Sequence, residues 1–190
     1  MSSICLIPAR GNSQRLPGKN VKPLAGKPVI QYSIETARAS GLFDEIIVST
    51  DDVSIGMLAN ILGADVWQRE PDDGTKGTQE VAGDVLRKIR QAHIACVLYP
   101  VAPLVTVHDL HMAYVSMAVG IKPFCFAVGT NPLRDAGAFY VGRADAFRHR
   151  IPLEKNAEFV FLPDERVCDV NTPEDWDELE RKFAALRGQA

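Results

Sequence analysis

The stretch Ile7-Pro8-Ala9-Arg10-Gly11-Asn12-Ser13-Gln14-Arg15-Leu16-Pro17-Gly18-Lys19-Asn20 gathers two arginines, a lysine and two glycines just after a short apolar run. That mixture suits a polyphosphate. Glycine lets the backbone approach a ligand closely and take positive φ. Successive amides in such a turn form a nest for an anion. Arg10 can grip phosphate oxygens with two parallel hydrogen bonds, and Lys19 adds a compact charge. The spacing is neither G-x-x-x-x-G-K-[ST] nor G-x-G-x-x-G. The competing reading is a solvated basic loop with no ligand.

Other candidates are weaker. Asp51 and Asp52 follow an apolar run, where they either meet a metal or cap a helix beginning near Val53. Asp169 either binds a metal or simply precedes the last helix. His93, His108, His111 and His149 lack metal-like spacing. Arg143, Arg148, His149 and Arg150 read as a solvated helix face.

These groups need a frame, and strand-like and helix-like segments alternate along the chain. Apolar runs at 4–8, 45–49, 64–67, 95–99, 124–128, 138–141 and 159–162 read as strands. Helical spacing places helices from Pro28 to Gly41, from about Val53 to Gly63, and over 78–91, 107–119 and 143–148. Residues 70–77 read as a loop. Thr172, Pro173 and Asp175 form a capping-box start for a final helix, with Trp176, Leu179, Phe183 and Leu186 on one stripe. Alternation of this kind predicts an α/β fold of three layers, helices on both faces of a mostly parallel sheet. Ligands of such sheets bind beyond the carboxyl ends of the strands, so the loops after Ile7, Val48 and Leu98 come first.

Composition narrows the function. The chain of 190 residues is enough for one domain with a full core. Its net charge of −3 offers no general attraction to nucleic acid or to an anionic membrane. No apolar run approaches a membrane span, and no secretory signal is visible. Cys5, Cys96 and Cys125 read as buried thiols rather than disulfides or metal ligands. Together these features lead us to expect a cytoplasmic protein.

The stretch 7–30, ending Lys22-Pro23-Leu24-Ala25-Gly26-Lys27-Pro28-Val29-Ile30, resembles the opening of the acylneuraminate cytidylyltransferases. The likeness continues through Ser40-Gly41-Leu42-Phe43-Asp44-Glu45-Ile46-Ile47-Val48-Ser49-Thr50-Asp51-Asp52 and Leu98-Tyr99-Pro100-Val101-Ala102-Pro103-Leu104, and closes at 168–175. Ile94–Tyr99 and Arg134-Asp135-Ala136-Gly137-Ala138-Phe139-Tyr140 look like the pseudaminic acid branch. The resemblance implies a Rossmann-like nucleotidyltransferase fold. It implies an enzyme that takes CTP and Mg2+ (or Mn2+), attaches CMP to an acidic 2-keto sugar and releases pyrophosphate. By position it implies a nucleotide site of Ala9, Arg10, Gly11, Asn12, Ser13, Lys19, Asn20, Arg69 and Thr78. Tyr99 and Asp135 would face the sugar, Asp169 and Asn171 the metal, and Arg10, Lys19 and Asp169 would carry the catalysis. A homodimer is also compatible with it.

Two departures stand out. The family's closing motif usually has two aspartates one residue apart, and here the second is Asn171. Alternate residues of an extended segment point the same way, so Asn171 can still face an ion held by Asp169, without a charge. Where the family carries a long excursion serving the sugar pocket and the dimer, only Gly129-Thr130-Asn131-Pro132-Leu133-Arg134 bridge Val128 and Asp135. The curtailed sugar half leaves two alternatives open: a smaller acidic acceptor, or a nucleotide-binding relative without turnover.

Overall fold

A computed structural model describes residues 2–71, 76–153 and 155–188. Residues 72–75 of the loop expected at 70–77 lie outside the described residues. The elements in chain order are β1 (Ser2–Pro8), a hairpin of β2 (Pro23–Leu24) and β3 (Lys27–Pro28), α1 (Val29–Ser40), β4 (Glu45–Thr50), α2 (Val53–Ile61) and β5 (Asp65–Gln68). Then come α3 (Thr78–Lys88), β6 (Ala92–Leu98), α4 (Val107–Val119), β7 (Phe124–Thr130), β8 (Leu133–Arg143), α5 (Ala144–Arg148), β9 (Ala157–Leu162) and α6 (Pro173–Arg187).

Seven strands form one sheet in the order β5-β4-β1-β6-β8-β7-β9. β1 pairs in parallel with β4 and β6, β4 with β5, and β7 with β9. Among the described residues, β8 alone runs against its neighbours β6 and β7. The expected mostly parallel α/β sheet is therefore present. Strand β1 shows why it is central. Cys5 and Ile7 enter the core under α1, α2 and α4, while Ile4 and Leu6 enter the opposite core with residues of α3 and α5. A strand buried on both faces must be apolar throughout, as this one is. Cys5, Cys96 and Cys125 are buried free thiols.

Several boundaries differ from the sequence reading. α3 ends at Lys88 rather than Gln91, and β6 begins at Ala92 rather than Ala95. β8 extends well beyond 138–141 because its first residues, 133–135, are exposed and polar or isolated, and carry no apolar signal. The 128–135 connection is therefore a tight hairpin, with Thr130 paired to Leu133. The β2–β3 hairpin escaped the sequence reading because prolines occupy half of its four strand positions.

A third cluster joins the end of the phosphate-loop candidate to the C-terminal helix. Leu16, Val29 and Tyr32 pack with Val170, Trp176, Leu179 and Phe183. Trp176 is wholly buried, and Lys22 Nζ lies 4.1 Å from its ring centroid. The Thr172–Asp175 capping box forms as expected. This cluster ties the two ends of the chain together at the carboxyl edge of the sheet. Among the described residues, no helix is long and apolar enough to cross a membrane.

Candidate functional site

The loop after β1 is held from below by the loop after β4. Ala9 N donates to Ser49 O at 2.9 Å, and Gly11 N donates to Asp51 Oδ1 at 2.8 Å. Asp51 also sits 3.9 Å from the Arg69 guanidinium. Asp52 is the helix cap, accepting from the amides of Ser54 and Ile55. Of the two roles that the sequence left open, metal ligand or helix cap, Asp52 takes the cap; Asp51 instead braces the loop, a role the sequence reading did not include. A Cβ at Gly11 would come within 2.6 Å of Asp52 Oδ2, so only glycine allows the loop to lie this close.

Asn20 is buried and donates through Nδ2 to Arg10 O at 2.8 Å. Among the described residues, its buried Oδ1 has no hydrogen-bond partner. Lys19 Nζ donates to Val170 O at 2.7 Å, which fastens the loop to the segment before α6. Burial pulls the Lys19 ammonium below the ordinary lysine range; Asp169 opposes the shift, and Arg10 and Arg15 reinforce it.

From the other side come Asp169 and Asn171. Asn171 Nδ2 donates to Asp169 Oδ2 at 2.9 Å, and Asn171 Oδ1 accepts from Arg15 Nη2 at 2.9 Å. The two do face each other, as alternate positions require. The amide, however, presents its nitrogen to Asp169 and its oxygen to Arg15. Behind Asp169 stands Gly137, with φ of 60°, where a Cβ would approach Asp169 Cγ to 2.7 Å.

These groups line a cleft of about 380 Å3 at the carboxyl ends of β1 and β6. Arg10, Lys19, Asn20, Arg69, Thr78, Tyr99, Asp169 and Asn171 all line it. Gly11 lines a smaller cavity behind the loop instead. Ala9 and Ser13 are buried, so they support the loop from within, and Asn12 is exposed on it. Asp135 does not reach the cleft. It lines a neighbouring cavity and accepts from Gly137 N at 2.9 Å and from the Tyr140 hydroxyl.

Sequence reasoning missed Arg15 and Lys76, which also line the cleft. Arg15 was visible as the loop's second arginine, but its partner Asn171 is 156 residues away. Among the described residues, five cationic side chains (Arg10, Arg15, Lys19, Arg69 and Lys76) thus face one carboxylate, Asp169. Asp51 and Asp84, behind the cleft, pair with Arg69 and Lys76; the remaining excess, on a chain of net charge −3, gives the cleft a local positive field that suits an anionic ligand.

The cytidylyltransferase family model matches residues 4–117. The chain is 34% identical over 217 aligned positions to the pseudaminic acid cytidylyltransferase of Campylobacter jejuni (serotype O:23/36, strain 81-176), covering 92% of this chain and 93% of that protein. The aligned length exceeds the 190 residues of this chain, so the relative carries inserted residues. Identity is 39% over 110 residues to the CMP-N,N'-diacetyllegionaminic acid synthase of Legionella pneumophila, covering 54% of this chain and 47% of that one. Among solved structures, CMP:2-keto-3-deoxy-manno-octonic acid synthetase complexed with CTP superimposes with a TM-score of 0.81 at 18% identity, over 97% of this chain and 99% of the other. The fold, the cationic cleft and the match over most of the chain agree: the protein belongs to the cytidylyltransferase family.

Proposed function

We propose that this enzyme transfers CMP from CTP to the hydroxyl of an acidic 2-keto sugar of the pseudaminic or sialic acid type, with release of pyrophosphate. The observation that carries the reading is the cleft with five cations and one carboxylate at the carboxyl edge of the sheet. The similarity to the Campylobacter jejuni pseudaminic acid enzyme supports the choice of acceptor.

Arg10 and Lys19 hold the β- and γ-phosphates, and Arg15 and Lys76 extend the same positive field. Asn20 and Arg69 position the nucleotide, and Thr78 and Tyr99 face the reacting groups. The acceptor hydroxyl attacks the α-phosphorus as its proton passes to solvent, and the bond to the departing pyrophosphate breaks. Fixed cations stabilise the charge that builds on the leaving group, with little reorganisation.

A divalent cation, magnesium or manganese, fits the donor set. Asp169 brings one carboxylate and Asn171 an amide oxygen once its side chain turns over. Magnesium commonly takes one or two carboxylates and draws its remaining ligands from phosphate and water. Among the described residues no group of three or more His, Cys, Asp or Glu side chains is placed to hold an ion. Asp169 and Asn171 would hold the ion together with oxygens of the bound triphosphate and water. When bound, the ion supplies charge neutralisation at the phosphate oxygens.

We place the enzyme in the cytoplasm, where it would supply an activated sugar for surface polysaccharide assembly. A homodimer would cover Leu133, Phe159 and Phe161, which lie exposed on β8 and β9. The tight β7–β8 turn favours a second reading, a smaller acidic acceptor.

The deciding experiment is magnesium-dependent pyrophosphate release from CTP across a panel of acidic sugars and smaller acids, for the wild type, Arg10→Ala and Asp169→Ala. Release that requires a nine-carbon sugar and collapses in both variants supports the reading. Release with only a small acid selects the second. CTP binding without release from any acceptor sinks both and leaves a nucleotide-binding protein.

A further inference from the structure

Tyr99 lines the cleft, and Tyr140 and Asp135 line the cavity of about 600 Å3 beside it. The two rings, one lining each space, lie 5.9 Å apart between centroids. A file of oxygens runs from one to the other. Thr78 Oγ1 is 3.1 Å from the Tyr99 hydroxyl, and that hydroxyl is 3.4 Å from the Tyr140 hydroxyl. Tyr140 then donates to Asp135 Oδ2, while Asp135 Oδ1 accepts from Gly137 N.

Each hydroxyl has one proton to give, and an ionised carboxylate only accepts. Tyr140 spends its proton on Asp135, so toward Tyr99 it can only accept. Tyr99 spends its proton on Tyr140, so toward Thr78 it can only accept. Thr78 spends its proton on Tyr99. This is the one arrangement in which all three contacts contain a hydrogen, and every donor points toward Asp135. Burial pushes both tyrosine hydroxyls up, so both keep their protons at neutral pH. The cleft is left facing lone pairs.

We propose that Asp135, acting through Tyr140, makes the Thr78–Tyr99 wall an acceptor-only surface that receives and orients the hydroxyl of the sugar acceptor. The proposal rests on the functional reading above and extends it to residues outside the cleft. Phosphate and carboxylate oxygens have no proton to offer this wall, and the cations of the cleft take them. A hydroxyl does have one. The two surfaces thereby sort the ends of the reactants. Asp135 and Tyr140 are positioning residues, since neither lines the cleft.

Tyr140→Phe breaks the file and keeps the ring that packs on Phe126 at 5.5 Å between centroids. Asp135→Asn keeps the shape and introduces a donor. We expect both to raise the acceptor KM about tenfold, the equivalent of one hydrogen bond worth ~1.4 kcal/mol. Calorimetric CTP affinity should change less than about twofold, because the wall serves the other reactant. An unchanged acceptor KM and kcat in folded Tyr140→Phe overturns the proposal. So does a loss of CTP affinity with the acceptor KM intact, which would assign the wall to the amino group of the base. A purely structural role would lower Tm without separating the two constants. Should Tyr140→Phe fail to fold, Thr78→Val and Thr78→Ser cut and keep the same file at its cleft end; equal acceptor KM values for the two overturn it. A wild type silent with every acceptor sinks the functional reading and this role with it. Slowly exchanging tyrosine hydroxyl protons in the NMR spectrum, lost in Tyr140→Phe, would then show that the file itself forms. Their absence from an active wild type overturns the file alone.

Discussion

Lys19 meets opposing demands. Burial lowers its proton affinity, and the phosphate it is proposed to hold would raise it again. As pH climbs toward the ordinary lysine value of 10.5, free Lys19 loses its charge earlier than a surface lysine would. CTP affinity should therefore weaken in that alkaline window, and calorimetry on Lys19→Ala should show a weaker pH dependence there. At neutral pH the variant should bind CTP about 10- to 100-fold more weakly, the loss expected for a charge-assisted contact. Gly137 offers a separate test. Substitution by alanine meets both a positive φ and the Asp169 side chain, so a loss of ~1–3 kcal/mol in a denaturant titration is expected, with turnover falling further than CTP binding. At this scale the sequence was partly legible. Arg10, Lys19 and Asp169, singled out by type and motif, do line one cleft. Asp51 and Asp52 could not be told apart, because both follow the same strand and only the fold decides which one turns to Gly11 and which to the helix.

Elements follow local rules, and the cleft depends on them. Asp175 accepts from the amides of Asn171 and Thr172, each at 2.8 Å, and so holds the chain just past Asp169. Burial pushes its carboxyl up, and those two amides outweigh it, so the group lies below the usual carboxylate value. Its folded pKa is below the unfolded one. Its stabilisation is therefore present above about pH 4 and is lost as pH falls through the folded value. Asp175→Ala should cost ~0.5–2 kcal/mol at neutral pH and less in acid, as measured by urea titration across pH. The β2–β3 turn makes the opposite prediction. Ala25 holds a φ of 46° beside Gly26, a left-handed pair that suits glycine or asparagine better. Ala25→Gly should raise stability by ~0.5–1 kcal/mol in thermal melts. The final capping box was legible because its partners are three residues apart. Strand β8 was legible only at its apolar centre, because its register against β6 and β7 is a long-range choice.

For the whole molecule, alternation of strands and helices announced the three layers, but nothing local announced that one strand is reversed. The pairing of Tyr140 with Val97, and hence its place beside Tyr99, follows from that reversal. Long-range packing also sets the site's rigidity. Trp176→Ala should cost ~3–5 kcal/mol and weaken CTP binding as well, since Val170, whose carbonyl Lys19 grips, packs in the same cluster. The reversed strand has one more consequence. Parallel strands offer only their ends to the cleft side, whereas β8 arrives there by its beginning, so the Thr130–Leu133 turn opens at the rim of the neighbouring cavity. Closing a longer loop there costs little, about 0.6 kcal/mol for each doubling of its length. That turn is a splice point: evolution or an engineer can lengthen it and remodel the neighbouring cavity while the cationic cleft, built on other strands, stays as it is.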